Sequence, residues 1–325
     1  MTVLSRRRLL TCAAALDSTA LTSSAQAQTA AKIITLVVPT PAGGTTDIAV
    51  RMLAELLGKI LGNPVVVDNR GGANGNIAGQ LVARSPADGS SLLLQYSGYQ
   101  CITPLPQPVS GFDPGKDLTP PGNVIDAPQL LVVRSNFPAA NFAEFLAYAK
   151  ANPGKVNYAS SGNGALQHVT TELLKDLTKT YMVHIPYRGT GQALTDLLGG
   201  TVDFTITTPP PLLAHIKSGK LRAWMVTGRT RLAVQPHVPT ATEQGVPLVA
   251  SSWFAVYGPN GMPAETQARI SAAIEQVVAS EAFRKRAEEQ GAKALFLNAA
   301  DLARLDAADR AMWGRTIKVA NIKAD

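Results

Sequence analysis

Two short runs, Val65-Val66-Val67 and Leu92-Leu93-Leu94, are apolar at consecutive positions, and that continuity constrains the fold more than any other feature of the chain. A strand with one wet face alternates, because successive side chains point to opposite sides. A strand that is apolar throughout needs both faces covered, as in a parallel sheet with helices on either side. The neighbouring pattern agrees. After the apolar stretch 33–38 comes a glycine turn, and Ile48, Met52, Leu53, Leu56 and Ile60 then fall on one helical stripe closed by Gly62. An α/β architecture is expected.

Residues 96–129 carry many Pro, Gly and Asp and little periodicity, and they read as irregular connection. Leu130-Leu131-Val132-Val133 then opens a second series. Asn141-x-x-Glu144 is a capping box for a helix bearing Phe142, Phe145, Leu146 and Ala149, stopped by Asn152-Pro153-Gly154. Segments 156–159, 182–185, 202–206 and 221–226 read as strands, separated by helical segments near 167–180, 190–198 and 210–218. A strand at 253–257 and three further helices close the chain. At roughly 100–200 residues per domain, 325 residues favour two. An economical division gives 28–129 with 251–325 to a discontinuous first domain and 130–250 to a second, with two crossings that act as a hinge. Three consecutive domains fit the same pattern.

The first 27 residues read as a signal peptide: Arg6, Arg7 and Arg8, a small and apolar stretch over 9–21, then Ala25-Gln26-Ala27 as a cleavage site. Ser5-Arg6-Arg7-Arg8-Leu9-Leu10 also fits a twin-arginine signal, although Asp17 and Ser18 interrupt the apolar stretch, so both export routes stay open. Export leaves Cys101 as the only cysteine of the mature chain, which rules out an internal disulfide. The net charge of +7 first raises nucleic acid as a partner. Basic residues are scattered, however, and aromatic residues make up only 6%, so neither a basic face nor a stacking platform is present. No run of about 18 apolar residues follows the signal.

Chemistry concentrates in two turns. Pro41-Ala42-Gly43-Gly44-Thr45-Thr46-Asp47 lies between the first strand and the first helix, where Gly43 and Gly44 permit close backbone approach and the helix start attracts an anion. Taken alone, this segment fits a capped glycine turn without ligand equally well. The same device recurs at Ser160-Ser161-Gly162-Asn163-Gly164, before a helix that opens near His168. In parallel α/β sheets ligands bind beyond the carboxyl ends of strands, so two facing domains would aim both turns into one cleft. Ser97, Tyr187-Arg188 and Thr207-Thr208 follow other strands and join the candidates by position.

Enzyme and cofactor motifs are missing. Gly72-Ala73-Asn74-Gly75-Asn76-Ile77-Ala78-Gly79 does not fit G-x-G-x-x-G and reads as a turn into a closely packed helix; no P-loop occurs. His168, His184, His215 and His237 lack metal-site spacing. Neither cofactor nor metal is expected. The competing reading is a serine hydrolase using Ser160 or Ser161, with Ser161 and His168 as a dyad.

The ordered segments VVPTPAGGTTDIAVRMLAELL, GNPVVVDNRGGANGNIAGQLVA, PADGSSLLL, YASSGNGALQH, VHIPYRGTGQALTDLLGG and KLRAWMVTGRTR resemble the Bug family, the solute receptors of tripartite tricarboxylate transporters. The resemblance implies a type II periplasmic-binding-protein fold, two α/β lobes closing on a small organic carboxylate. It implies no catalysis, a periplasmic location, and a monomer whose partners are inner-membrane transporter subunits or a sensor protein. It makes Pro41 to Asp47 one wall of the site and Ser160 to Gly164 the facing wall. The stretch 95–124, with Tyr96, Tyr99 and Cys101, departs from the family pattern.

Overall fold

The computed structural model describes residues 32–106, 108–109 and 111–323. The signal-peptide reading of 1–27 lies outside them. The chain opens with β1 (Ile34–Val38), α1 (Thr45–Leu61), β2 (Val65–Asn69), α2 (Asn76–Ala83) and β3 (Ser91–Tyr96), the alternation the periodicity predicts. β2 and β3 flank β1 and run parallel to it. A short α3 (Pro114–Asp117) then leads into β4 (Leu118–Pro128), a strand of 11 residues inside the stretch expected to be irregular. The prolines hid it. Pro120 and Pro121 fall at a register shift opposite Tyr257, where an extra residue is already left out of the ladder and the missing N–H is not needed.

Pro128 ends β4 and Leu130 begins β5 (Leu130–Arg134), so the chain passes from one sheet to the other over Gln129 alone. There follow α4 (Phe142–Ala151), β6 (Asn157–Ser160), α5 (Leu166–Thr178), β7 (Val183–Pro186), α6 (Thr190–Gly199), β8 (Phe204–Thr207), α7 (Leu213–Lys217) and β9 (Leu221–Val226). The Asn141 side chain accepts the Glu144 N–H at 2.9 Å, and Glu144 reaches back to the Ala140 N–H, so α4 starts where its capping residues dictate. In this sheet, ordered β7-β6-β8-β5-β9, β6 is parallel to β7 and β8, and β5 is antiparallel to β8 and β9.

The chain returns to the first sheet as β10 (Ser251–Pro259), which inserts antiparallel between β3 and β4. It ends with α8 (Ala264–Ala279), α9 (Glu281–Glu289), β11 (Lys293–Ala294) and α10 (Ala299–Val319). The order is β11-β4-β10-β3-β1-β2. Leu92, Leu93 and Leu94 of β3 are fully buried, as a strand covered on both faces requires, at about 1.5–3 kcal/mol for each side chain. The valine run behaves differently. β2 is an edge strand and Val66 is 49% exposed, because β-branched residues favour extended backbone whether or not both faces are covered.

Thr227, fully buried, ties the two passages between the sheets together. Its hydroxyl accepts the Gln129 N–H at 2.8 Å and donates to the Ala250 carbonyl at 2.6 Å; its own N–H donates to the Gln129 carbonyl at 2.9 Å. Two lobes joined by two passages, Gln129 on the way out and the 227–250 segment on the way back, can rotate about them.

Candidate ligand-binding site

α1, α2, α5, α6, α7 and α8 begin without a side-chain cap, at Gly44, Gly75, Ala165, Gly189, Leu212 and Pro263, whereas Asp113, Asn141, Ser280 and Asn298 cap α3, α4, α9 and α10. Three of these uncapped starts, those of α1, α5 and α6, share one cavity of about 990 Å³, lined by Pro41 to Thr46, by Ser161, Gly162, Leu166 and Gln167, and by Tyr187 to Gln192. The first N–H groups of a helix have no partner within it, and no N-cap side chain takes them at these three starts. α1 and α5–α6 belong to different lobes, and the cavity lies between them. At its edge the Thr45 and Thr208 hydroxyls meet across the lobes at 2.7 Å.

The first turn owes its shape to Gly43, at φ 88°, and to Asp47 beneath it. Asp47 is 4% exposed and does not reach the cavity; its carboxylate accepts the Gly43 N–H at 3.0 Å, Arg51 Nε at 3.0 Å and Asn69 Nδ2 at 3.0 Å. Burial pushes its pKa up, but the bonds from Arg51, Gly43 and Asn69 outweigh that and leave it below the usual carboxylate value. Asp47 holds the turn from below and does not line the cavity. Gly44, by contrast, has φ −81° and extended backbone, so the left-handed turn rests on Gly43 alone.

In the second turn Ser161 and Gly162 line the cavity, and Ser160, Asn163, Gly164 and His168 do not. Ser160 is 1% exposed, and its hydroxyl takes the Gly162 N–H at 3.1 Å and pairs with His184 Nε2 at 2.6 Å. His168 Nδ1 accepts the Gly164 N–H at 3.2 Å, and Ser161 donates to Gln167 Oε1 at 2.8 Å, so the Ser161–His168 dyad is not formed. Of the strand-end candidates, Tyr187 lines the cavity and donates to Asp196 at 2.7 Å. Ser97 and Thr207 are buried away from it, Thr207 beneath the Gln167 amide at 3.2 Å. Sequence reasoning missed Gln129, Tyr96, Tyr99 and Phe254, which also line the cavity. An aromatic pair just past the carboxyl end of β3 was the available signal for Tyr96 and Tyr99. Among the described residues no three His, Cys, Asp or Glu converge as metal ligands.

Behind the second turn His168 and His184 stack with centroids 3.7 Å apart, between Tyr158 and the Glu172–Lys175 pair. Burial first, then His168 and Lys175, hold the His184 pKa down at about 3. Its folded value lies below the ordinary 6.5, so the unfolded chain takes up this proton first as pH falls. Its stabilising contribution is complete above about pH 6.5 and is lost between there and pH 3. His184→Gln is expected to flatten the rise of urea-unfolding stability between about pH 4.5 and 6.5; a slope equal to that of the unsubstituted protein would refute the assignment.

Two hinged α/β lobes whose helix starts converge on a shared cavity define a class, the type II periplasmic binding proteins. The chain belongs to the tripartite tricarboxylate transporter receptor family (TctC), whose sequence pattern matches residues 49–322. It is 39% identical over 264 residues, 81% of each chain, to Protein BugT of Bordetella pertussis (strain Tohama I). Rpa4515 of R. palustris with adipate is 34% identical with a TM-score of 0.85, over 89% of this chain and 97% of that one. MatC (Rpa3494) from Rhodopseudomonas palustris with bound malate is 29% identical with a TM-score of 0.80, over 88% and 98%. Proteins of this family are solute receptors, and solved relatives are periplasmic binding proteins.

Proposed function

We propose that this protein is an exported, non-catalytic receptor that captures a small organic carboxylate between its lobes and presents it to inner-membrane transporter subunits. The carrying observation is the convergence of three uncapped helix starts from two lobes on one cavity. Hydrogen bonds to a charged group contribute about 1.5–3 kcal/mol each. Three or four of them approach the ~8 kcal/mol of micromolar affinity. No buried arginine is needed. The relatives bound to adipate and malate support a carboxylate. In this reading 28–129 with 251–325 close on 130–250 about Gln129, Thr227 and Ala250. A ligand touching both lobes favours the closed form by its differential binding energy. Residues 1–27 direct export to the periplasm, and the receptor works as a monomer. Against hydrolysis, Ser161 donates to an amide and Ser160 is shut off from the cavity.

Mass spectrometry of ligand released from natively purified protein is expected to find an organic acid, and a thermal-shift screen of acids to raise Tm. A neutral or cationic ligand, or ester turnover lost in Ser161→Ala, would overturn this reading.

A further inference from the structure

The helix starts account for one end of a ligand, its carboxylate; the floor of the same cavity is made of different chemistry. Tyr96 ends β3 opposite Phe254 of β10 with ring centroids 6.0 Å apart, and Tyr99 lies against Tyr96 at 4.5 Å. All three line the cavity. Gly75 makes room for this wall, since a Cβ there would stand 2.1 Å from the Tyr99 ring. Beside them Gln129, on the passage between sheets, lines the cavity while only 1% exposed. Its Oε1 has no hydrogen-bond partner, and its Nε2 points to the Ile206 carbonyl at 3.5 Å. Turning the amide over would set two oxygens against each other, so the free atom is an acceptor. A buried acceptor without a donor is costly, and a ligand that supplies the donor removes that cost.

A second carboxylate fits this floor badly. This end of the cavity presents aromatic rings in place of a helix start, and the Gln129 oxygen repels an anion. Flat aromatic surface favours a ring. We infer that the ligand is an aromatic monocarboxylate carrying a hydrogen-bond donor on its ring, in class a hydroxy- or aminobenzoate, with the ring on Tyr96, Tyr99 and Phe254 and the donor on Gln129 Oε1. This rests on the carboxylate reading above and adds the far end of the molecule.

The test is calorimetric titration of ligand-stripped protein with benzoate, the three hydroxybenzoates, 4-aminobenzoate, adipate and neutral benzamide. At least one ring-substituted acid is expected to bind about tenfold tighter than benzoate and adipate. Gln129→Leu is expected to abolish the preference over benzoate, and Tyr99→Ala to weaken every aromatic acid about tenfold. Should Gln129→Leu fail to fold, the ratio measured on the unsubstituted protein decides. Adipate binding tighter than all aromatic acids, or benzoate equalling every substituted one, overturns the inference and leaves the carboxylate receptor intact. No acid of the set binding overturns the inference alone, and neutral benzamide binding as tightly as the best acid overturns both.

Discussion

Asp47→Ala is expected to lower unfolding stability by about 2–4 kcal/mol and to weaken ligand binding at least tenfold, although Asp47 does not line the cavity. The carboxylate is nearly buried, and it fixes the first turn from below through the Gly43 N–H and the Asn69 amide, itself bonded to the Thr40 carbonyl at 3.0 Å. Without it these donors lose their acceptor. Arg51, 56% exposed at its side chain, rehydrates at little cost and adds little to the loss. Gly43 then has nothing to hold it at φ 88°, and the N–H groups that follow no longer stand fixed at the cavity. Urea unfolding and calorimetry with the best-binding acid read the two effects. Asp47→Asn, which keeps one acceptor and loses the charge, is expected to fall between the two. Because the pKa of Asp47 is lowered, its contribution is present above the ordinary carboxylate range and disappears as pH falls through it. Full binding by Asp47→Ala would mean the turn is shaped by something else.

Asp47 also marks where sequence reading stopped. Position along the chain located both turns, because a strand, glycines and a helical stripe in that order put a helix start at the carboxyl end of a sheet. Direction was not legible. Asp47, Ser160, His168 and Thr207 all sit where a ligand contact was expected, yet each turns inward to support backbone or a neighbouring side chain. That choice is made by tertiary neighbours such as Asn69, His184 and Gln167, which come from other elements. The floor was hidden for a related reason. Phe254 reaches Tyr96 only because β10 returns across more than a hundred residues to lie between β3 and β4. Gln129 is one polar residue among many until the topology puts it alone on the passage between sheets. Two readings failed on the fold for different reasons: the valine run is a strand whose place at the sheet edge leaves one side open, and within 96–129 the prolines argued against pairing that the sheet itself decides.

The largest loss of stability is expected from Glu172→Ala, about 3–5 kcal/mol by urea unfolding, from a residue no binding argument would choose. Glu172 lies on α5 with its side chain 13% exposed, beside Lys175 at 15%. Its carboxylate accepts from Tyr158 Oη at 2.5 Å and Lys175 Nζ at 2.6 Å, and His168 Nε2 stands 3.9 Å away. Removing it leaves the part-buried Lys175 ammonium and the buried Tyr158 phenol without their acceptor. The buried pair itself is not a strong source of stability, since its attraction has to offset the desolvation of two charges. The triple replacement Tyr158→Phe, Glu172→Leu and Lys175→Leu is therefore expected to recover most of what Glu172→Ala loses, because no group is left unpaired. Binding should follow the same order, since His168, which receives the Gly164 N–H, is the link between this network and the second turn. A Glu172→Ala protein destabilised by less than about 1 kcal/mol would place these side chains in water rather than under the turn.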